Sequence, residues 1–582
     1  MIYLFSNKLD FNEILPTVLK NRGVEDIEKY MNPSAEDEIH YSKLKNMNKA
    51  VELFKKHMNQ NSRVIIVTDR DADGVTSSAI MHKYIEDHVP QLDVVNIQHP
   101  KRENGLTEHM MTSIKELTDN YTIEQTQLVI LPDASSNDKE QHEFLNSKGI
   151  DVLVLDHHEV HTLPTDNVDT VVVNPQLSPD YSNKQISGVG VTYKFLQALD
   201  DSLGLNGSED NIELVALGNV SDSMDIREPE TRSIVVRGLE NVENSFMKAL
   251  IEKFKDGRVP LNPHSLSWTV LPKFNALIRV GTVEELQFVY EAMLGREGTF
   301  ENPRARTEKN RIETWQEKAV RLCNNAYGKQ RRMRTKLVDQ VTEFIDENKL
   351  DRFNIIIAPM KDLDSQGLTG YVAGQLVNNY KKPVVLMNYD EETEMYSGSL
   401  RGLESVIEDL KGYLESTGLF ELLAGHSSAA GAVIHKDNIV PLLKRIAEDI
   451  EYNVTVEYDF EIDYSEVTPE LISHVDGLSN YWGKNVEPPM FAIKNTDIPM
   501  EYFEYKPNVS RVKNRGHELM MFSTPDILQE HAKKDVVVKG TVYGELSINR
   551  FFNNVTDQIK VEEFVVEEVV EQSDEDMFDF LF

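Results

Sequence analysis

Three aspartates at alternating positions, Asp69, Asp71 and Asp73, lie between an apolar run that starts at Val64 and a glycine, Gly74. Carboxylates crowded at the end of a buried strand repel one another unless a cation lies among them. The stretch therefore predicts a metal site. The alternative is a solvated acidic turn, because so short a motif also occurs without a function.

Two further apolar runs end in acidic residues. The run from residue 128 ends at Asp133, and the run from residue 151 ends at Asp156, which His157 and His158 follow. The carboxyl ends of parallel strands lie along one edge of an open α/β sheet, where ligands bind. We therefore expect these acids and imidazoles to converge on the aspartates of the first motif.

A fourth apolar segment, over residues 214–221, is followed by Asp222. Carboxylates and imidazoles gathered at one edge suit two hard divalent cations, Mn²⁺ or Mg²⁺. The single cysteine, Cys323, lies outside all of these motifs, which disfavours a thiolate zinc site.

The order of these motifs resembles the DHH phosphoesterase superfamily and, within it, the RecJ-type single-stranded-DNA-specific exonucleases. Matching family motifs occur at residues 69–74, 133, 156–158 and 221–222, with further RecJ-like stretches at 102–105, 174–175, 187–191 and 272–281. Residues 366–370, 399–401 and 424–431 resemble the DHH-associated domain. Ala424 and the stretch 399–402 depart from the family pattern there.

The resemblance implies a role for each residue of the site. Asp133 would bridge two cations, with Asp73, His157 and Asp222 completing the shell of one cation and Asp71, together with Asp69, serving the other. His158 would contact the phosphate or orient a ligand, and Asp156 suits a hydrogen bond to a ligating histidine. The implied catalytic set is Asp71, Asp73, Asp133, His157, His158 and Asp222.

The resemblance also implies a grip on a terminal 5′-phosphate, for which guanidinium groups are well shaped. The residues concerned are Arg102, Asn275, Arg279, Ser399, Arg401 and His426. For Arg279 the alternative is a structural pairing with a buried acid.

Length and composition limit the class of protein. A chain of 582 residues is too long for one core and predicts three or four domains. One cysteine fits a reducing cytoplasm, and no segment has the roughly 18 uninterrupted apolar residues of a membrane span. We expect a soluble cytoplasmic protein without membrane contact.

The predicted fold class is α/β, because strands alternate with helical stretches. With the resemblance, the expected domains are a helical lead-in (1–60), a parallel-sheet DHH domain (61–305), a long connecting helix (306–350), a second α/β DHH-associated domain (351–450), an OB-like β-barrel (451–560) and a disordered acidic tail (561–582).

The net charge of −36 opposes binding to nucleic acid, but the charge is unevenly distributed. The stretch from Arg304 to Lys336 contains eleven basic residues and three acids, which indicates a surface for a phosphate backbone. The alternative is the solvated face of a helix. The predicted DNA-binding residues are Arg304, Arg306, Arg331, Arg332, Arg515 and Trp482, with Arg511, Lys513 and His517 as further phosphate contacts; Trp482 has a core position as its alternative.

Residues 561–582 contain nine acids and no base, and the chain ends in Phe-Asp-Phe-Leu-Phe. An acidic segment with a terminal apolar cluster resembles the tip of bacterial single-strand DNA-binding proteins. We expect it to dock a replication or repair partner or to compete for the DNA groove. A solubilising tail is the alternative.

Together these features predict a 5′→3′ exonuclease that hydrolyses single-stranded DNA by a two-metal mechanism in DNA recombination, repair or replication. Two alternatives stay open. One is a DHH phosphodiesterase acting on short oligonucleotides or cyclic dinucleotides, and the other is a non-catalytic replisome component.

Overall fold

The computed structural model describes residues 9–100, 103–119, 127–162, 167–254, 260–302, 311–363, 367–403, 406–449, 457–506, 509–522, 524–551 and 554–571. The chain divides into two compact units. The first unit comprises residues 19–328 and 479–487, and the second comprises residues 1–18, 329–478 and 488–582.

The first unit is built on a five-stranded sheet in the order β2-β1-β3-β4-β5, and every neighbouring pair is parallel. Its strands are β1 (Arg63–Thr68), β2 (Asp93–Gln98), β3 (Gln127–Pro132), β4 (Ile150–Leu155) and β5 (Thr170–Val173). All four strands other than β2 are buried along their length, as continuous β-branched runs in a parallel sheet should be. The predicted parallel α/β sheet is confirmed.

Helices alternate with these strands along the chain, as expected for βα units, and the first helix, Phe11–Asn21, runs from the second unit into the first. The helices up to residue 293 are Phe11–Asn21, Ile27–Met31, Met47–Gln60, Ala72–His88, Glu108–Asp119, Lys139–Ser147, Gly188–Leu203, Ile212–Ser221, Pro229–Glu240, Ser245–Phe254, Pro263–Ser265, a π-helical turn at Leu266–Val270, Leu271–Val280 and Val283–Met293. Short 3₁₀ turns lie at Ala35–Asp37, Tyr41–Lys43 and Pro175–Leu177. The apolar segment before Asp222 belongs to the Ile212–Ser221 helix, so Asp222 follows a helix and not a strand.

The connecting helix begins later than predicted. Strand β6 (Thr299–Asn302) pairs with β7 (Arg311–Thr314), and the helix then runs without a break over Trp315–Glu347. Its start is set by a capping box, in which the Glu317 carboxylate accepts from the Thr314 N–H at 2.8 Å and the Thr314 hydroxyl accepts from the Glu317 N–H at 3.2 Å.

The second unit contains a mixed sheet in the order β11-β12-β10-β9-β8. Its strands are β8 (Ile356–Met360), β9 (Val384–Asp390), β10 (Met395–Arg401), β11 (Phe420–His426) and β12 (Ala429–His435). The accompanying helices are Thr369–Tyr380, Leu410–Ser416 and Ile439–Asp449, with 3₁₀ turns at Leu350–Arg352 and Lys436–Asn438. This α/β arrangement matches the predicted strand and helix alternation.

A third sheet has the order β13-β14-β17-β18-β16-β15. Its strands are β13 (Phe460–Asp463), β14 (Phe491–Pro499), β15 (Ser510–Asn514), β16 (His517–Met521), β17 (Val536–Phe551) and β18 (Asn554–Glu571). Helices Pro469–Gly477 and Asp526–His531 and 3₁₀ turns at Tyr464–Glu466, Ser479–Tyr481 and Met500–Tyr502 lie between them in sequence. Within the described residues no pairing joins β13 to β15, so a closed OB-like barrel is not shown.

The disordered tail was predicted too long. Residues 561–571 belong to β18 and pair with β17 from Gly544 back to Val536. The acids in this stretch alternate with pairs of valines, whose β-branched side chains favour a strand, and every acid except the half-buried Glu563 is exposed. Residues 572–582 lie outside the described part of the chain. None of the described helices has the length and apolar character needed to cross a membrane.

Candidate active site

The first acidic motif is held in a tight turn between β1 and the Ala72–His88 helix. Asp71 caps this helix, and its carboxylate accepts a hydrogen bond from the Gly74 N–H at 2.9 Å. A Cβ atom at Gly74 would lie 2.6 Å from the Cβ of Asp69, so only glycine permits this approach. Asp69 is buried, and burial together with the nearby Asp71 charge raises its pKa well above the ordinary value.

Asp73 is fixed by the start of another helix. Its two carboxylate oxygens accept hydrogen bonds from the Gly188 N–H at 2.7 Å and the Val189 N–H at 3.0 Å. A Cβ atom at Gly188 would lie 2.3 Å from a carboxylate oxygen of Asp133. Glycine at this position therefore lets the helix end approach both acids, a role that the sequence pattern alone does not reveal.

Asp133 lies at the centre of the cluster, after β3. The residue is 1% exposed, and neither carboxylate oxygen accepts a hydrogen bond from an N–H or hydroxyl of the described residues. Its backbone is held at φ +68°, an uncommon conformation for a non-glycine residue that recurs at functional sites. Burial, followed by repulsion from Asp73 and Asp71, raises its pKa well above the ordinary value. A cation would relieve this repulsion.

His157 faces the same acids. Its Nε2 atom lies 3.3 Å from Asp133 Oδ1, 3.5 Å from Asp222 Oδ2 and 3.9 Å from Asp73 Oδ2. Burial lowers the pKa of His157, which favours the neutral imidazole that a metal ion needs. Burial and repulsion from Asp73 raise the pKa of Asp222 to about 8.

Asp156 organises the two histidines. Its carboxylate accepts from the backbone N–H of Ser136 at 2.9 Å and of His157 at 2.7 Å, and it lies 2.8 Å from Nδ1 of His158. Burial alone would raise the pKa of Asp156, but the contact with His158 overcomes it and lowers the pKa well below the ordinary value. The same hydrogen bond raises the pKa of His158 to about 9.

These residues fit a pair of divalent cations. Three groups have ligand atoms that all lie within 4.8 Å of one another: Asp73, His157 and Asp222; Asp69, Asp71 and Asp133; and Asp133, His157 and His158. Oxygen and imidazole ligands of this kind suit Mn²⁺ or Mg²⁺. The structure thus brings the predicted ligands together. One of the three groups also includes His158, for which the sequence predicted contact with the phosphate or the orientation of a ligand.

A cavity of about 80 Å³ opens beside the acids. It is lined by Asp71, Ala72, Asp73, Ser221, Asp222, Asn275, Ile278 and Arg279. Two of the predicted phosphate-binding residues, Asn275 and Arg279, therefore share a cavity with the predicted metal ligands. Arg102 lies outside the described residues.

Arg70, between the first two aspartates, is a site residue that the sequence did not single out. Its buried guanidinium donates to the backbone carbonyls of Ile278 at 3.1 Å, Gly281 at 2.7 Å and His99 at 3.3 Å, and also to that of Pro100. One side chain thus fastens two backbone segments to the metal-binding turn.

Ser399, Arg401 and His426 lie in the second unit. Arg401 of β10 and His426 of β11 both pair with Ala429 of β12, which places them at one level of the sheet. The Ser399 and Thr369 hydroxyl oxygens lie 2.9 Å apart, and a Cβ atom at Gly370 would lie 2.5 Å from the Arg401 guanidinium. A helix start, a hydroxyl and a guanidinium therefore meet here, a combination that suits a phosphate.

The predicted DNA-binding residues have different outcomes. Trp482 is 3% exposed, so its stacking on a base is wrong and its core alternative is right. The segment 479–487 is fastened into the first unit, where the Tyr481 carbonyl accepts from the Tyr30 hydroxyl at 2.6 Å and the Asn480 carbonyl accepts from Arg232 at 3.3 Å. Burial of the indole follows from this anchoring.

Several basic residues of the 304–336 stretch are engaged within the protein. Arg321 pairs with Glu313, Arg311 pairs with Glu317 at 2.7 Å, and Lys318 lies over the Phe300 ring at 3.9 Å; these contacts take up charges that were predicted to face DNA.

Arg331, Arg332 and Arg515 are exposed. His517 is buried and its Nε2 lies 2.8 Å from the Val467 carbonyl oxygen, so its predicted phosphate contact is wrong. Arg304 and Arg306 lie outside the described residues.

The fold and the acid-imidazole cluster define a metal-dependent hydrolase of the DHH class. The model of the DHH family, N-terminal domain, matches residues 63–219. A Bacillus subtilis protein named "Putative SPbeta prophage-derived single-strand DNA-specific exonuclease YorK" is 33% identical over 97% of this chain and 98% of its own length. The chain belongs to the DHH family, among the RecJ-type single-stranded-DNA-specific exonucleases.

More distant relatives agree with this placement. The single-stranded-DNA-specific exonuclease RecJ of Bacillus subtilis is 25% identical over 97% of this chain and 69% of its own length. Crystal structures of Thermus thermophilus RecJ with Mn²⁺ and with Mg²⁺ share the fold, with TM-scores of 0.66 and 0.61 at 18% identity; they align with 97% of this chain and with 80% and 79% of RecJ.

Proposed function

We propose that this protein is an exonuclease that digests single-stranded DNA from the 5′ end to mononucleotides. The observation that carries the proposal is the cluster of acids with His157, in which Asp71, Asp73 and Asp222 line a cavity that Asn275 and Arg279 also line. The 33% identity to a relative named for this activity supports the choice of substrate.

Two divalent cations bound by the cluster would supply the Lewis acidity that activates water and neutralises charge on the scissile phosphodiester. Asp133 would serve both cations, Asp73, His157 and Asp222 would hold one, and Asp71 with Asp69 would hold the other. Asp156 keeps His158 oriented, and a protonated His158 would donate a hydrogen bond to the phosphate.

Recognition of a terminal phosphate would direct attack to the 5′ end. Arg279 and Asn275 would bind it within the first unit, and Ser399, Arg401 and His426 form a second phosphate-binding group in the second unit. Arg331 and Arg332, together with Arg515 in the turn between β15 and β16, would bind the following backbone. That sheet would act as an OB-like DNA-binding domain. The cellular role would be in DNA recombination, repair or replication.

The test uses 5′-phosphorylated single-stranded DNA labelled at either end, incubated with Mn²⁺, Mg²⁺ or EDTA. We expect mononucleotides from the 5′ end that require metal and disappear in Asp133→Asn. Arg279→Ala should reduce the preference for a 5′-phosphate over a 5′-hydroxyl while metal binding persists. Cleavage of oligoribonucleotides or cyclic dinucleotides alone would favour the small-substrate alternative, and inactivity on every substrate would favour a binding role.

The terminal residues 572–582 would dock a replication or repair partner or compete for the DNA groove. Their acidic and aromatic composition supports either role. Deletion of these residues should remove partner binding or raise DNA affinity, measured with the full chain as reference. Unchanged binding to both would leave only a solubilising tail.

A further inference from the structure

Trp268 is the most exposed aromatic side chain in the described part of the chain, with 71% of its surface accessible. The other two tryptophans are less exposed: Trp482 is buried, and Trp315 is half-buried and stacks on Phe288 with ring centroids 4.7 Å apart. An indole left in water offers a large apolar and π-electron surface to a ligand.

The backbone around Trp268 departs from a regular α-helix for a reason that lies in the local sequence. The helix runs from residue 263 to 280 through a π turn at Leu266–Val270. Pro272 lacks an N–H and its ring crowds the carbonyl four residues earlier, which is that of Trp268. The backbone widens instead, and the Leu271 N–H donates to the Leu266 carbonyl. Such turns within α-helices recur at functional sites.

The same helix carries two residues of the cavity. Asn275 and Arg279 lie seven and eleven positions after Trp268 on the same continuous helix. The π turn at Trp268 holds more residues than an α turn, so Trp268 lies no more than about 16 Å from Arg279 along the helix axis, the length of eleven residues at 1.5 Å each.

The surroundings of Trp268 favour a nucleobase over a protein surface. Its neighbours in the turn, Ser267 and Thr269, are hydroxyl residues whose side chains donate to the carbonyls of Pro263 and Ser265. These hydroxyl neighbours do not extend the ring into the contiguous apolar patch that a protein partner requires. Every base, in contrast, has a π face that can stack on one indole.

We propose that Trp268 is a stacking platform for one base of the single-stranded substrate, a few nucleotides from the end that occupies the cavity. The inference rests on the proposed function and adds a contact to the base, where Arg279 and Asn275 contact the phosphate. The ring of His264, whose centroid lies 6.3 Å from that of Trp268, borders the indole.

The first test compares Trp268→Ala with Trp268→Tyr in binding to a 5′-phosphorylated oligothymidine, measured by fluorescence anisotropy in EDTA so that cleavage is prevented. Loss of one stacked base should weaken binding about 5- to 100-fold in Trp268→Ala, whereas Trp268→Tyr should keep most of the affinity. Phe144→Ala removes an exposed ring from another helix of the same unit and should leave binding unchanged.

The second test places a single abasic nucleotide at successive positions from the 5′ end. The wild-type protein should lose affinity at one position, and Trp268→Ala should show no further loss there while hydrolysis of a dinucleotide is unchanged. Identical abasic profiles in both proteins, or equal DNA affinity, would overturn the inference and leave the proposed exonuclease intact. Failure of the wild-type protein to bind single-stranded DNA would instead refute the proposed function itself.

Discussion

At the scale of single residues, Asp133 shows the conflict between stability and metal binding most clearly. Its buried carboxylate is surrounded by Asp73, Asp71, Asp69 and Asp222, all of which raise its pKa after burial itself. We predict that Asp133→Asn stabilises the metal-free protein by about 1–3 kcal/mol, because it removes one of several repelling charges. Thermal unfolding in EDTA measures this gain.

Mn²⁺ should stabilise the wild-type protein by an amount that depends on the ratio of metal concentration to the dissociation constant. The same substitution should remove this stabilisation. Nuclease activity should fall by more than about 100-fold, since even the loss of an outer hydrogen-bond partner costs up to that amount. A variant that is less stable in EDTA yet still gains stability from Mn²⁺ would contradict the assignment of Asp133 as a shared ligand.

At the scale of elements, Arg70 joins the metal-binding turn to the carbonyls of Ile278 and Gly281, on either side of Arg279. We predict that Arg70→Met destabilises the protein by about 2–4 kcal/mol, because several buried carbonyls lose their donor. The preference for a 5′-phosphate should also fall, because Arg279 loses its support, while Mn²⁺ still stabilises the protein.

Arg70→Lys is the matched control. Lysine keeps the positive charge, but it lacks the planar guanidinium that reaches both backbone segments. Compared with Arg70→Met, Arg70→Lys should therefore recover part of the stability and a smaller part of the 5′-phosphate preference. Competition between 5′-phosphorylated and 5′-hydroxyl DNA provides the measurement. Equal losses on both substrates would show that Arg70 has no bearing on end recognition.

His142, in the Lys139–Ser147 helix, makes stability depend on pH. It is fully buried, and burial lowers its pKa to about 4 from an ordinary value of 6.5. Below pH 6.5 His142 takes up a proton in the unfolded chain but stays neutral in the folded protein, which favours unfolding. The contribution of neutral His142 to the free energy of unfolding is therefore present above pH 6.5 and is lost as the pH falls towards 4. Between pH 6.5 and 4.5 the free energy of unfolding should fall by about 2 kcal/mol from this residue.

Urea unfolding in EDTA at these two pH values measures the effect. His142→Leu removes the titrating group and fills the space with an apolar side chain, so its free energy of unfolding should fall about 2 kcal/mol less than that of the wild-type protein over this interval. An equal fall in both proteins would mean that His142 is protonated in the folded state.

At the scale of the whole molecule, a net charge of −36 must be reconciled with binding to a polyanion. Arg331 and Arg332 are exposed on the long helix, whereas Arg321 of the same helix is paired with Glu313. We predict that changing both exposed arginines to alanine weakens binding to single-stranded DNA. The slope of log affinity against log salt should fall by about 1.4, or about 0.7 for each lost phosphate contact.

Lys444→Ala serves as the comparison, because this exposed lysine lies on a shorter helix of the same unit. Its salt slope should match that of the wild-type protein in a titration at several salt concentrations. An unchanged slope in the double arginine variant would favour a merely solvated helix face.

The sequence by itself determined the parallel sheet and the identity of the acids and His157 at its edge. Runs such as residues 64–68 and 128–132 have the β-branched, unbroken composition of buried strands, and the acids follow them directly. Because parallel strands share one edge, their convergence followed from the pattern alone.

Only the tertiary structure decided the contacts between residues distant in sequence. Gly188 approaching Asp133, Arg70 reaching Gly281 and the burial of Trp482 all depend on how separate segments pack. The strand over residues 561–571 likewise required its partner β17, since its acidic composition alone indicated disorder. Local patterns specify which residues can meet a cation, whereas packing specifies which side chains remain available to DNA.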